Sequence, residues 1–227
     1  MADPRIVAFV PMRHSSERVK GKNYRPLGGK PLYHHIVQSL LDCPLIDEVV
    51  IDTDSDFIAE DAIAAFPEGL RVIPRPEHLY GGDTPMNDIL LHDVTQAPAD
   101  YYVQTHSTNP LLTVESITTA IQSFLDQRDT YDSLFTVTPR QTRLWWPDGT
   151  AVNHDPAVLL RTQDLPPVME ENSCLYVFTK ETLEQRGNRI GEKPLLYPLE
   201  PAEAWDIDEE IDWTVVEALY AARETVA

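Results

Sequence analysis

Short apolar runs alternate with stretches of helical periodicity along this chain, and that alternation limits the fold to repeated βα units feeding a mainly parallel sheet. Residues 6–10 read as a first, fully buried strand that runs into Pro11-Met12-Arg13. Beyond Pro31, which suits a first helical turn, Leu32, Ile36 and Leu40 recur at helical spacing. Residues 48–52 and 71–73 read as strands on either side of a helix over 56–65. Helix is expected over 88–94, strand over 101–104, helix over 114–125 opened by Thr113 with Ser116 nearby, and strand over 133–137. The rhythm then breaks. Between residues 139 and 169, five prolines, Trp145-Trp146 and Asp148-Gly149 indicate a turn-rich excursion such as a hairpin arm. Residues 175–179 return to the core, and 211–222 close the chain as a helix with Ile211, Val215 and Leu219 on one face. No internal repeat and no long flexible linker interrupts this pattern, so residues 1–227 read as one domain carrying an inserted arm at 139–169.

Composition narrows the function classes. A hydrophobic share of 42% with 24% charged residues is that of a folded globular chain, not a disordered one. No apolar run approaches the roughly 20 residues that a membrane span needs. The first five residues lack the basic-then-apolar shape of a signal peptide, so a cytoplasmic location is expected. Cys43 and Cys174, without a CxxC pair, are expected to be small buried hydrophobes. A net charge of −19 argues against a nonspecific grip on nucleic acid. Against that background, Arg13, Arg18, Lys20, Lys22, Arg25 and Lys30 put six of the 18 cations into one short stretch, while residues 194–222 hold none. A basic segment on so acidic a chain points to a small polyanionic ligand; the plainer alternative is a solvated basic loop.

Several familiar sites are absent. There is no GxxxxGK[ST], no GxGxxG and no GxSxG, and Gly28-Gly29-Lys30-Pro31 has neither the spacing nor the hydroxyl of a phosphate loop. His34 and His35 are helix neighbours that point apart, which argues against zinc. The positive signal is the segment from Pro11 through Arg13, Ser16, Arg18, Gly21 and Lys22 to Asn23. A strand ending in such a loop sets cations at the carboxyl edge of the sheet, where open α/β folds bind ligands. Guanidinium and ammonium groups there neutralise phosphates and the charge growing on a leaving pyrophosphate.

With these residues the chain resembles the CMP-sugar synthetases, the acylneuraminate and 3-deoxy-manno-octulosonate cytidylyltransferases. Arg13-x-x-Ser16-x-Arg18-x-x-Gly21-Lys22 looks like the octulosonate branch, and Lys22-Asn23 followed by Leu27-Gly28-Gly29-Lys30-Pro31-Leu32 like the acylneuraminate branch. Further landmarks follow in family order: Asp52-Thr53-Asp54, Arg75-Pro76-Glu77, Asp83-Thr84, Thr108-Asn109-Pro110-Leu111, Asn172-Ser173-Cys174-Leu175-Tyr176 and Asp206-Ile207-Asp208. The resemblance implies a three-layer α/β, mainly parallel-sheet nucleotidyltransferase fold (Rossmann-like) and transfer of CMP from CTP to a 2-keto-3-deoxy, sialic-acid-like sugar acid. It implies that Pro11, Arg13, Ser16, Arg18, Lys22, Asn23 and Arg75 bind the nucleotide, with Arg13, Lys22 and Asp208 the catalytic set. His106, Thr108, Asn109, Arg161, Asn172 and Tyr176 are the acceptor-side candidates. Core or structural readings of His106 and Tyr176 stand beside that one. A homodimer is also implied, with the arm reaching the partner. The arm's Trp145, Trp146, Val158, Leu159 and Leu160 are a large apolar load for a loop, as an interface requires.

Asp206-Ile207-Asp208 makes chemical sense by itself. Along an extended segment both carboxylates face one side and Ile207 the other. Two hard oxygen ligands on one face suit Mg²⁺ (or Mn²⁺) shared with substrate phosphates, and the resemblance implies that this pair holds the catalytic metal. The alternative is an acidic turn capping the last helix. The chain departs from both branches on the acceptor side. His106 to Leu112 replaces the string Gln-Pro-Thr-Ser-Pro-Leu-Arg, Thr108 stands where the octulosonate branch has Asp, and Glu17 replaces a Lys. Glu171-Asn172-Ser173 replaces Pro-Asn-Gly, and Arg161 lies one residue from the usual basic position. An altered acceptor pocket is therefore expected. The rival readings are CMP transfer to another acid or a phosphonate-like acceptor, and a nucleotide-binding relative without turnover.

Overall fold

The first apolar run is buried on both faces, as a strand in the middle of a sheet must be. In the computed structural model, which describes residues 3–224, this run is β1 (Ile6–Phe9). Met1 and Ala2, part of the N-terminal stretch read above, and the last three residues lie outside it. Ile6 and Ala8 enter one apolar layer, Val7 and Phe9 the opposite one. Two short strands, β2 (Pro26–Leu27) and β3 (Lys30–Pro31), form a small hairpin before helix α1 (Leu32–Leu41). Then come β4 (Glu48–Thr53), α2 (Asp56–Ala65), β5 (Leu70–Pro74), α3 (Met86–Gln96), β6 (Tyr101–Gln104) and α4 (Val114–Gln127). The chain continues through β7 (Ser133–Arg140), β8 (Val168–Phe178), α5 (Lys180–Arg186), β9 (Pro194–Pro198) and α6 (Glu210–Glu224).

The main sheet has the order β5-β4-β1-β6-β8-β7-β9, in which only β8 runs against its neighbours. α1, α2 and α4 cover one face through Ile36, Leu40, Ile58, Ile117 and Phe124, and α3 and α5 cover the other through Leu90, Val94 and Leu183. The fold is thus a three-layer α/β sandwich. From β1 the chain steps outward to β4 and β5, then returns to β6 on the other side of β1. That reversal opens a crevice beyond the carboxyl ends of β1, β4 and β6, where this architecture binds ligands.

The expected capping residues act locally. Thr113 accepts a hydrogen bond from the Ser116 amide at 3.2 Å, and Ser55 does the same for Ile58 at the start of α2. Cys43 and Cys174 are both buried free thiols. No helix among the described residues is long and apolar enough to cross a membrane.

Other expectations need correction. The last helix buries Trp213 and Val216, whereas Ile211 is 68% exposed. Its inward face is therefore rotated from the Ile211–Val215–Leu219 stripe, because the indole is the larger apolar group to bury. β9 and α5 escape the sequence reading: β9 has only three residues between two prolines, which the sheet tolerates at its edge, and α5 is seven residues long. The excursion is shorter than 139–169, since Pro139 pairs with Met169 and Arg140 with Val168. β7 and β8 are therefore the two legs of a long hairpin that bears the arm.

Candidate active site

The loop after β1 keeps the register of the sheet before it turns away: the Met12 amide donates to the Asp52 carbonyl at 2.9 Å. Gly21, at φ 64°, then reverses the chain and returns Lys22 and Asn23 to the crevice. The Asn23 amide group donates to the Arg13 carbonyl and accepts from the Ser107 hydroxyl, both at 2.7 Å, and so braces the loop against the segment after β6. Pro11, Arg13, Ser16, Arg18, Lys22 and Asn23 line one side of a cavity of about 470 Å³. Arg75, His106, Thr108, Asp206 and Asp208 line its other walls. Eleven residues expected at the nucleotide, acceptor and metal positions thus meet in one place. The sequence reading passed over Gly81 and Gly82, which close the cavity. A Cβ on Gly82 would sit 2.8 Å from Arg13 Nη1, so glycine there lets the guanidinium lie against backbone.

The cations face the late carboxylates. Arg18 donates to Asp208 at 2.6 Å, and Lys22 Nζ lies 3.6 Å from the same carboxylate while donating to the Ile207 carbonyl. Burial holds the Lys22 ammonium below its ordinary pKa, against the pull of Asp206 and Asp208. Ile207 is fully buried with Val19, Leu27, Leu32 and Trp213, so the two flanking carboxylates turn into the cavity as alternation predicts. Capping of α6 is the work of another group, since Asp212 accepts from the amides of Asp208 and Glu209. Burial, partly offset by a hydrogen bond from Thr108, raises the Asp206 pKa. Asp206 Oδ1 is buried without a hydrogen-bond partner. An orphaned hard oxygen beside a second carboxylate fits a divalent cation.

A second group of possible ligands, Asp52, His92 and Asp93, brings its donor atoms within 4.8 Å of one another. Arg75, itself buried, already donates to Asp52 here. Burial and the neighbouring Asp52 charge both raise the Asp93 pKa, so a proton on Asp93 meets the needs of this buried pair. Its visible consequence is to hold Arg75 at the cavity wall.

The acceptor-side candidates are dispersed. His106 lines the cavity, and burial, with the charges of Arg189 and Lys22, pushes its pKa down to about 3, so the imidazole is neutral at physiological pH. Asn109 is fully buried behind the cavity, with its amide 3.4 Å from both Cys174 Sγ and the Trp205 carbonyl. Tyr176 is a core residue under the Arg189 guanidinium, 3.7 Å from the ring centroid. Arg161 sits on the exposed arm, held by Asp164 at 2.7 and 3.0 Å. Neither Asn109 nor Tyr176 lines the cavity: the Asn109 Nδ2 turns to Cys174 and Trp205 while its Oδ1 is buried without a partner, and the Tyr176 hydroxyl is spent on Glu171.

Asn172 has a structural task. Opposite Phe135–Val137 the pairing on β8 jumps from Tyr176 to Glu171, leaving an extended bulge. Asn172 Oδ1 accepts from the Thr136 hydroxyl at 2.6 Å and the Cys174 amide at 3.3 Å, and its Nδ2 donates to Thr138. The bulge brings Ser173 to the cavity wall. On the far side of that wall lies a second cavity of about 370 Å³, lined by Thr138, Arg140, Glu170, Glu171, Asn172 and Trp205 and sharing Ser173, Asp206 and Asp208 with the first.

A three-layer α/β sheet with clustered cations at its carboxyl edge, set against a carboxylate pair, is the arrangement expected of a nucleotidyltransferase. The family model for cytidylyltransferases matches residues 7–211, and the chain belongs to that family. It is similar to post-translational flagellin modification protein B of Campylobacter coli, 24% identical over 98% of this chain and 97% of that protein. It is also similar to CMP-N,N'-diacetyllegionaminic acid synthase of Legionella pneumophila, 29% identical over 95% of this chain and 96% of that one. Among solved structures, CMP:2-keto-3-deoxy-manno-octonic acid synthetase complexed with CTP shares the fold. Its TM-score is 0.70 at 16% identity, covering 96% of this chain and 99% of that one. The chain is a CTP-dependent nucleotidyltransferase.

Proposed function

We propose that this enzyme transfers CMP from CTP to a 2-keto-3-deoxy sugar acid and releases pyrophosphate. The observation that carries the reading is a cavity that sets Arg13, Arg18, Lys22 and Arg75 against Asp206 and Asp208 and shares its Ser173, Asp206 and Asp208 wall with a second, polar cavity. The names of the relatives support the same acceptor class. Arg13, Arg18 and Lys22 hold the triphosphate, and Pro11, Ser16, Asn23 and Arg75 shape the rest of the nucleotide site. The acceptor hydroxyl attacks the α-phosphorus; the bond to the bridging oxygen of the β-phosphate breaks, pyrophosphate leaves, and the hydroxyl proton passes to solvent. Arg13 and Lys22 stabilise charge on the departing group. A divalent cation, Mg²⁺ or Mn²⁺, held by Asp206 and Asp208 supplies neutralisation at the α-phosphate when bound. His106, as a neutral imidazole, and Thr108 contribute hydrogen bonds rather than charge.

The single-domain reading, with its arm on the β7–β8 hairpin, extends to a homodimer in which the arm carries Arg161 toward the partner's acceptor pocket. The nucleotide substrate suits a cytoplasmic enzyme. Pyrophosphate release with each of the four nucleoside triphosphates tests the proposal, with N-acetylneuraminate, N,N'-diacetyllegionaminate and 3-deoxy-manno-octulosonate as acceptors. Turnover that requires CTP and one of these acids is expected. Equal use of ATP or GTP sinks the base preference, and no release with any of the three acids sinks the acceptor class.

A further inference from the structure

Ser173 is the one non-glycine residue among the described residues with positive φ, at 57°. Residues bearing a Cβ avoid this left-handed region, which glycine enters freely. Strain of this kind persists where the surroundings over-determine it, and such positions gather at functional sites. Here the surroundings are specific. Asn172 and Thr136 pin the bulge, and the Tyr176 hydroxyl, itself donating to Glu171, lies 3.2 Å from Ser173 Oγ. Arg189 packs on the Tyr176 ring and fixes that hydroxyl in turn. Ser173 is also a shared wall residue of the nucleotide cavity and the second cavity, along with the two late carboxylates. Tyr176 has one hydrogen and Glu171 takes it, so the Ser173 hydroxyl donates its own hydrogen to the Tyr176 oxygen and keeps lone pairs with which to accept.

We propose that Ser173 is a specificity-determining residue whose hydroxyl oxygen, held in a strained backbone conformation, accepts a hydrogen bond from a hydroxyl of the sugar-acid acceptor. The inference rests on the proposed CMP transfer to such an acid and adds the residue that reads the acceptor. Glycine at this position would fit the backbone better. The strain is therefore kept for the side chain, and the side chain has only its hydroxyl to offer. That hydroxyl is fixed in direction before the acceptor arrives, which limits the ordering cost of binding.

The test compares Ser173→Gly and Ser173→Ala with the wild-type enzyme by pyrophosphate release at saturating CTP. N-acetylneuraminate, N,N'-diacetyllegionaminate and 3-deoxy-manno-octulosonate serve as probes, and CTP KM and thermal midpoint are measured in parallel. Both variants are expected to raise the KM of the best probe by about five-fold or more, as the loss of one hydrogen bond implies, while CTP KM stays within about two-fold. Ser173→Gly, freed of strain, is expected to melt at or above the wild-type temperature. A rise of less than about five-fold in either variant, or an equal rise in CTP KM, overturns the assignment, since a structural role would disturb both substrates alike. A wild-type enzyme inactive with all three acids removes the proposed function and the role of Ser173 with it. Active wild type with unaffected variants removes only the latter.

Discussion

Asp208 meets two cations in the crevice, Arg18 at 2.6 Å and Lys22 at 3.6 Å, and is about half exposed. An ion pair so open to solvent is worth about 0–1 kcal/mol, so stability alone does not explain its placement. Asp208→Asn keeps the shape and removes the charge. Turnover is expected to fall by about 100-fold or more, with unfolding free energy changed by less than about 1 kcal/mol. Pyrophosphate release across a Mg²⁺ titration, beside a urea melt, checks it; near-normal turnover at limiting Mg²⁺ would leave Asp208 as a mere tether for Arg18. Asp93 behaves in the opposite way. Burial, reinforced by Asp52, raises its folded pKa above the unfolded carboxylate value of about 4. The folded state therefore holds a proton that the unfolded state has lost, and its contribution is fully present below the unfolded pKa. Stability then declines as pH rises from that point through the raised pKa. Asp93→Asn has no proton to lose. Its melting temperature should fall less steeply than that of the wild type from mildly acidic to alkaline pH, and parallel slopes would count against a proton held on Asp93.

The element that most shapes the acceptor side is the bulge in β8. Thr136, from the facing strand, donates to Asn172 at 2.6 Å and accepts from the Leu175 amide at 3.0 Å, replacing ladder bonds that the bulge interrupts. Thr136→Val retains volume but leaves a buried amide and a buried amide oxygen without that partner, at a cost of about 1–3 kcal/mol. Chemical denaturation should show the loss, and acceptor KM should rise as the bulge slackens; an unchanged midpoint would mean that the bulge does not depend on Thr136. Nothing in the local sequence marks this feature. Asn172-Ser173 is visible as a motif, yet its amide looks equally suited to a substrate until the strand opposite is known. Asp206-Ile207-Asp208 was more legible, because alternation is a local property and Ile207 has an apolar cluster to enter.

At the scale of the whole molecule, the arm between β7 and β8 exposes Trp145 at 51%, Trp146 at 60% and Leu159 at 90%. Apolar surface gathered on one projection favours association. Sedimentation at micromolar concentration is expected to give a dimer. Replacing both Trp145 and Trp146 by Ala should shift it toward monomer and weaken acceptor binding; a fully active wild-type monomer would refute the interface. The overall charge of −19 sets the background for the cleft, since the clustered cations of residues 13–22 are then the chief local attraction for a triphosphate.

Local patterns in the chain were enough to determine the βα rhythm, the basic loop after β1, the carboxylate pair and the existence of the hairpin excursion. Each depends on residues close in sequence, through strand or helix period, turn chemistry or charge density. The tertiary structure alone decided the reversed direction of β8, the inward face of α6 and the protein partners that the side chains of Asn109, Tyr176 and Asn172 meet. It also decided the exposure of Ser173 between two cavities. Those outcomes turn on which distant segments become neighbours. A polar side chain meets a ligand or the protein interior according to what packs across from it, and its own neighbours in sequence do not carry that information.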